Sequence, residues 1–160
     1  MKPYAVPIAA ALVTALLALL LAGCATQPKS EPVPAATAPA TPPPLLYDAL
    51  GGQAGIEGLA DVLIAEIHGD KRINQLFKNT DMPDFRRLLI EQLCEATGGP
   101  CIYSGRTMEE AHSGFAITHQ EFVYFVEDLN RAMKKAALSP ENQQRLLALL
   151  GPMEPQVVNQ

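Results

Sequence analysis

The sequence predicts an all-α fold from residue 45 onward, and three observations carry that expectation. Apolar residues recur at three- and four-residue spacing along four stretches. No stretch sustains the alternation that a half-buried strand requires. Between the stretches stand glycine and proline breaks, together with the hydroxyl and carboxylate caps on which helices begin.

In chain order, the first helix follows Gly51 and Gly52 and carries Ile56, Leu59, Ala60, Leu63, Ile64 and Ile67 on one face. The second begins near Met82, with Asp81 as its cap and Pro83 tolerated in its first turn. Its apolar face is Phe85, Leu88, Leu89, Leu93 and Ala96, and Gly98, Gly99 and Pro100 close it. Thr107 to Glu110 fits a capping box, in which hydroxyl and carboxylate satisfy orphan backbone N–H groups. That box opens a helix of about two turns, ended by Gly114 soon after His112. So short a helix is poorly stable alone and is held best by something bound to it. Thr118 to Glu121 is a second box, leading into Phe122, Phe125, Val126, Leu129, Met133 and Ala136. Ser139 and Pro140 open the last helix, which carries Leu146, Leu147 and Leu150 and is ended or kinked at Gly151 and Pro152.

The residues before this domain read differently. Lys2 is followed by an apolar run from Ile8 to Ala22, the pattern of a secretory signal. The run is just under the ~20 residues of a spanning helix, so length alone does not choose between the two. Leu21-Ala22-Gly23-Cys24 resembles the bacterial lipoprotein box, in which cleavage precedes a cysteine that then carries lipid. The resemblance implies a signal peptide over 1–23, lipidation at Cys24 and attachment to a membrane. With Ala25 next, and no aspartate there, it implies a periplasmic-side position at an outer membrane. Residues 24–44 form a Pro-rich linker that cannot bury a core; at ~3.1 Å per residue it reaches roughly 60 Å. The globular domain is 45–160, long enough for one core. Without Lys2 the chain carries 11 basic and 17 acidic residues, a net charge of −6. An acidic surface with no basic cluster argues against nucleic acid as a partner.

His112 is the residue with the clearest chemistry. A neutral imidazole offers one ring nitrogen to a metal while the other donates to a carbonyl and fixes the ring. Phe77, Phe85, Phe122 and Phe125 are available to line a flat cavity around it. A lone histidine does not specify a metal site, and no zinc spacing, nucleophile elbow or phosphate loop accompanies it.

The surrounding motifs do more. Leu46 to Gly52 (LYDALGG), then Gly98-Gly99-Pro100, Tyr103, Gly105, Met108, Ala111 to Gly114 (AHSG), Ile117 and Thr118 resemble the truncated haemoglobins of group 1, in order and spacing over the whole domain. The resemblance implies a two-over-two helical sandwich enclosing haem b, with His112 as the axial ligand to iron. It implies that Phe77 packs on the haem face and that Tyr103, Met108 and Ile117 lie against the haem or its edge. Arg86, Arg87 and Arg106 become candidates to pair the propionates. On the opposite face the family's aromatic position falls on Ile64, after Leu63, and the facing positions are Phe85, Leu89 and Leu93. All are apolar, and Gln92 stands only next to an inward position. A buried donor stabilises dioxygen's partial negative charge by ~1–3 kcal/mol, so an apolar face predicts weak dioxygen retention and fast autoxidation. NO and CO, being neutral, suffer less.

His68 and His119 read as surface groups rather than second iron ligands. Cys94 and Cys101 flank Glu95 to Pro100; in an oxidising compartment they form a disulfide, otherwise two thiols, one packed as a small hydrophobe. The expected function is a haem protein binding O2, NO or CO. No flavin or nicotinamide domain accompanies it, so NO-dioxygenase or peroxidase turnover needs an outside reductase. The alternative is a haem-free helical interaction module on a membrane tether. Loss of the aromatic at Ile64 favours that alternative, and retention of His112 and Phe77 opposes it.

Overall fold

The computed structural model describes residues 44–160, and among these there is no strand. The expected signal, Cys24 and the linker as far as residue 43 lie outside the described residues. The helices are α1 (Leu46–Ala49), α2 (Gly52–Gly69), α3 (Met82–Ala96), α4 (Met108–His112), α5 (His119–Lys135) and α6 (Pro140–Leu150). Short 3₁₀ turns follow α2 (Asn74–Phe77) and α6 (Gly151–Gln156).

Local chemistry sets the ends of these elements. The Asp81 carboxylate accepts the N–H of Asp84, and Ser139 that of Asn142, each with proline in the first turn. Both threonine boxes close: Thr107 with Glu110, and Thr118 with Glu121. Each cap satisfies a donor that the helix itself leaves orphaned. α1 is a single turn that the spacing of apolar residues did not show. It is fixed to the end of α3 by the Tyr47 N–H donating to the Thr97 carbonyl at 3.0 Å.

The core is centred on α2, which packs on both α3 and α5. Ile56, Leu59, Ala60, Leu63 and Ile67 are buried against Leu93, Leu129, Ala132, Met133 and Leu146. Leucine-sized side chains removed from water contribute ~1.5–3 kcal/mol each, so this layer supplies most of the domain's cohesion. Ile64 differs from its neighbours: it is half-buried and packs at the edge of the core. Cys94, fully buried, is joined by a disulfide to Cys101 in the segment after α3. That crossing is tight. A Cβ on Gly99 would sit 2.5 Å from the Tyr47 ring and 2.6 Å from the Cys94 sulfur, so only glycine passes there.

Candidate functional site

Against this core lies a cavity of about 1000 Å³. That is the upper end of the ~300–1,000 Å³ typical of ligand and cofactor pockets. Its walls come from α2, the first 3₁₀ turn, α3, α4, α5, α6 and the C-terminal turn. Phe77, Phe85, Leu88, Phe122, Phe125 and Val126 all stop short of full burial because they face this space. Phe77 and Phe85 tilt against each other with ring centroids 5.4 Å apart, bracing one wall.

His112 ends α4 and its side chain lines the cavity. Its Nδ1 lies 2.7 Å from the Met108 carbonyl oxygen, one turn back. A carbonyl only accepts, so the proton sits on Nδ1 and the Nε2 lone pair is left for a metal. Met108, Tyr103, Ile117, Leu89 and Leu93 also line the cavity. Tyr103 folds over its own loop because Gly105 has no side chain; a Cβ there would meet the tyrosine ring at 2.3 Å. Burial pushes the Tyr103 hydroxyl above the usual phenol range.

Three expectations are corrected by this geometry. The wall residue on α2 is Leu63, and Ile64 does not line the cavity. Both lie on the apolar stripe of that helix, and spacing alone does not say which of two successive residues points at the void. Gln92, expected only beside an inward position, is in the wall. Its amide reaches the Met108 sulfur at 3.2 Å and the Met153 sulfur at 3.6 Å, so the lining is not wholly apolar. Arg86 and Arg87 do not reach the cavity. Arg86 pairs with Asp61 at 2.5 Å, and Arg87 pairs with Asp84 at 2.6 Å and Glu91 at 2.7 Å while donating to Ser104.

Arg106 does line the cavity, and so does Lys78, which sequence reasoning missed. Neither enters an ion pair among the described residues. The signal for Lys78 was its place directly after Phe77. Met153 and Val157 were missed as well; the break at Gly151 and Pro152 turns them back onto the cavity. His68 and His119 are exposed, and His119 hydrogen-bonds Glu154 rather than facing the cavity.

These residues suit a haem. A broad apolar slot accepts a flat macrocycle, and one imidazole nitrogen is free for iron. Two cations at the slot suit paired carboxylates. The model for the family described as bacterial-like globin matches residues 45–159. A group 1 truncated hemoglobin from Nostoc commune is 32% identical over 114 residues, which is 71% of this chain and 97% of that protein. One from Tetrahymena thermophila is 30% identical over 98 residues, 61% of this chain and 81% of that protein. Among solved structures, the Fe(III) form of truncated hemoglobin from Tetrahymena pyriformis aligns with a TM-score of 0.70 and 23% identity. The alignment covers 72% of this chain and 98% of that one. A 2/2 hemoglobin from Synechococcus with covalently attached heme aligns with a TM-score of 0.69 and 24% identity, over 73% of this chain and 100% of that one. With the family match spanning the cavity-bearing domain from end to end, the chain belongs to the bacterial-like globin family, with the truncated-globin fold and haem iron as its cofactor.

Proposed function

We propose that this protein is a group 1 truncated haemoglobin that binds diatomic ligands, O2, NO or CO, on the face opposite His112. The observation that carries the reading is the orientation of that imidazole: Nδ1 is tied to the Met108 carbonyl and the ring lines the cavity. Haem, once held, supplies an iron with one coordination position open to a small ligand.

The chain's own residues do the rest. The Met108 carbonyl fixes the tautomer and plane of His112. Phe77, Phe85 and Phe122 exclude water from the slot, and Lys78 and Arg106 neutralise carboxylates at its rim. Leu63, Phe85, Leu89 and Leu93 present only hydrocarbon. The Gln92 amide is turned toward the two methionine sulfurs. A pocket built this way favours CO and NO over dioxygen, whose partial negative charge it leaves without a donor, and any turnover draws electrons from a separate reductase. We place the domain outside the cytoplasm, tethered through lipid on Cys24. The support is the sequence Leu21 to Cys24 after an apolar run, and globomycin-sensitive processing in the producing bacterium tests it.

The test of function is spectroscopic. Purified chain supplied with hemin should develop a Soret band, and the reduced form should shift on adding CO. A colourless product defeats the proposal. A very slow dioxygen release would count against the apolar ligand face alone.

A further inference from the structure

His112 stands on a lightly anchored element. α4 has five residues, none of them fully buried. It runs into residues 113–117, where Ala116 takes a φ of 51°, a left-handed conformation that costs an alanine energy. Such a conformation persists only where neighbouring groups hold it.

The C-terminal segment provides the hold. The main-chain oxygen of Gln160 accepts the N–H groups of Gly114 at 3.2 Å and Ala116 at 3.3 Å. The Asn159 N–H donates to the Ile117 carbonyl at 2.9 Å. The Gln160 side-chain amide donates to the Pro155 and Val158 carbonyls, at 2.8 Å and 3.3 Å, so the acceptor is itself fixed. Glu154 in the same segment hydrogen-bonds the His119 ring. Inside the cavity, Gln92 bridges Met108 on α4 and Met153 on the returning turn.

The geometry points to residues 154–160 as a clasp that orients the imidazole of His112, with Asn159 and Gln160 as positioning residues. The inference rests on the haem reading of the cavity. Without the clasp Ala116 leaves its left-handed conformation, and a helix too short to stand alone loses the turn that brings Nδ1 to the Met108 carbonyl.

The experiment compares the full chain with a variant lacking residues 159 and 160, and with Glu154→Gln. Two readouts use the apoprotein. Nitrogen NMR of the imidazole reports which ring nitrogen of His112 carries the proton, and hydrogen exchange reports protection of the Gly114 and Ala116 amides. A third readout is the rate of hemin loss to an acceptor globin. In the full chain the proton should sit on Nδ1 and both amides should be protected. The shortened chain should lose both features at unchanged helix content and release hemin about tenfold faster, the size of effect expected for a group that orients a metal ligand. Amides unprotected in the full chain overturn the clasp. So does a shortened chain with the same tautomer and the same hemin loss. If the shortened chain does not fold, Glu154→Gln decides: a smaller change in the same direction is expected, and no change in any readout overturns the inference. A full chain that takes up no hemin defeats the haem reading, while the tautomer and exchange readouts still judge the clasp.

Discussion

The two halves of this domain are built on opposite terms. Around α2, Ile56, Leu59, Ala60, Leu63 and Ile67 interlock with Leu129, Met133 and Leu146 at close to zero exposure. Around His112, no residue of α4 is buried, and the element is held by a capping box, hydrogen bonds and the turn that follows α6. The first half can stand without a ligand. The second presents apolar walls to a void and is completed by what fills it. The difference teaches that stability and ligand binding are supplied by separate residues, and that they should fail separately.

The largest effect that sharpens the contrast comes from the core. Leu129→Ala should cost ~2–5 kcal/mol in denaturant unfolding of the apoprotein. Phe122→Ala, half-buried on the cavity, should cost much less there and show itself in hemin affinity. Equal losses for the two would erase the distinction. Next is the disulfide, which ties the buried end of α3 to the segment leading to His112. Cys101→Ser should lower stability by ~2–3 kcal/mol for so short a loop, read as a fall in denaturation midpoint that reducing agent no longer changes. A smaller pair separates the capping boxes. Thr118→Ala should cost about 1 kcal/mol in unfolding, because α5 is integral to the core. Thr107→Ala should barely move unfolding but should weaken hemin binding, because α4 is not.

The smallest effect is one of pH, at the C-terminal end of α2. The Arg72 guanidinium and N–H hold the Asp70 carboxyl down at about 2, with Arg131 adding to the pull. A carboxyl lowered on folding contributes stability that is present above its ordinary value near 4 and lost as pH falls toward 2. Acid unfolding of Asp70→Asn should therefore be less steep across that window, while hemin affinity at neutral pH stays the same. A change in hemin affinity would mean that the two halves are coupled.

How far the sequence could be read follows the same division. The α2 face was legible because burial on one side imposes a helical period, and Ile56, Leu59, Leu63 and Ile67 obey it. The caps at Asp81, Thr107, Thr118 and Ser139 were legible because they act within three residues. Asp128 was not: Arg131, three residues on, is within reach of local pattern, but nothing local marks the acid as fully buried. At the cavity, the choice between Leu63 and Ile64 depends on a rotation of α2 that only tertiary packing decides. Arg86 is captured by Asp61, 25 residues away, which spacing does not reveal. Arg87 was more readable: Asp84 and Glu91, three and four residues off, were in view to claim it. The break at Gly151 and Pro152 was legible, but the hydrogen bonds that join residues 159–160 to 114–117 beyond Met153 and Val157 are again invisible to local pattern.

The most direct measurement removes the imidazole and gives it back. His112→Gly chain, reduced with haem, should lack the iron–histidine stretching band of the unaltered protein, and added free imidazole should restore it. A band of unchanged position and strength in His112→Gly without imidazole would show that another residue holds the iron, and the account built on this cavity would be wrong.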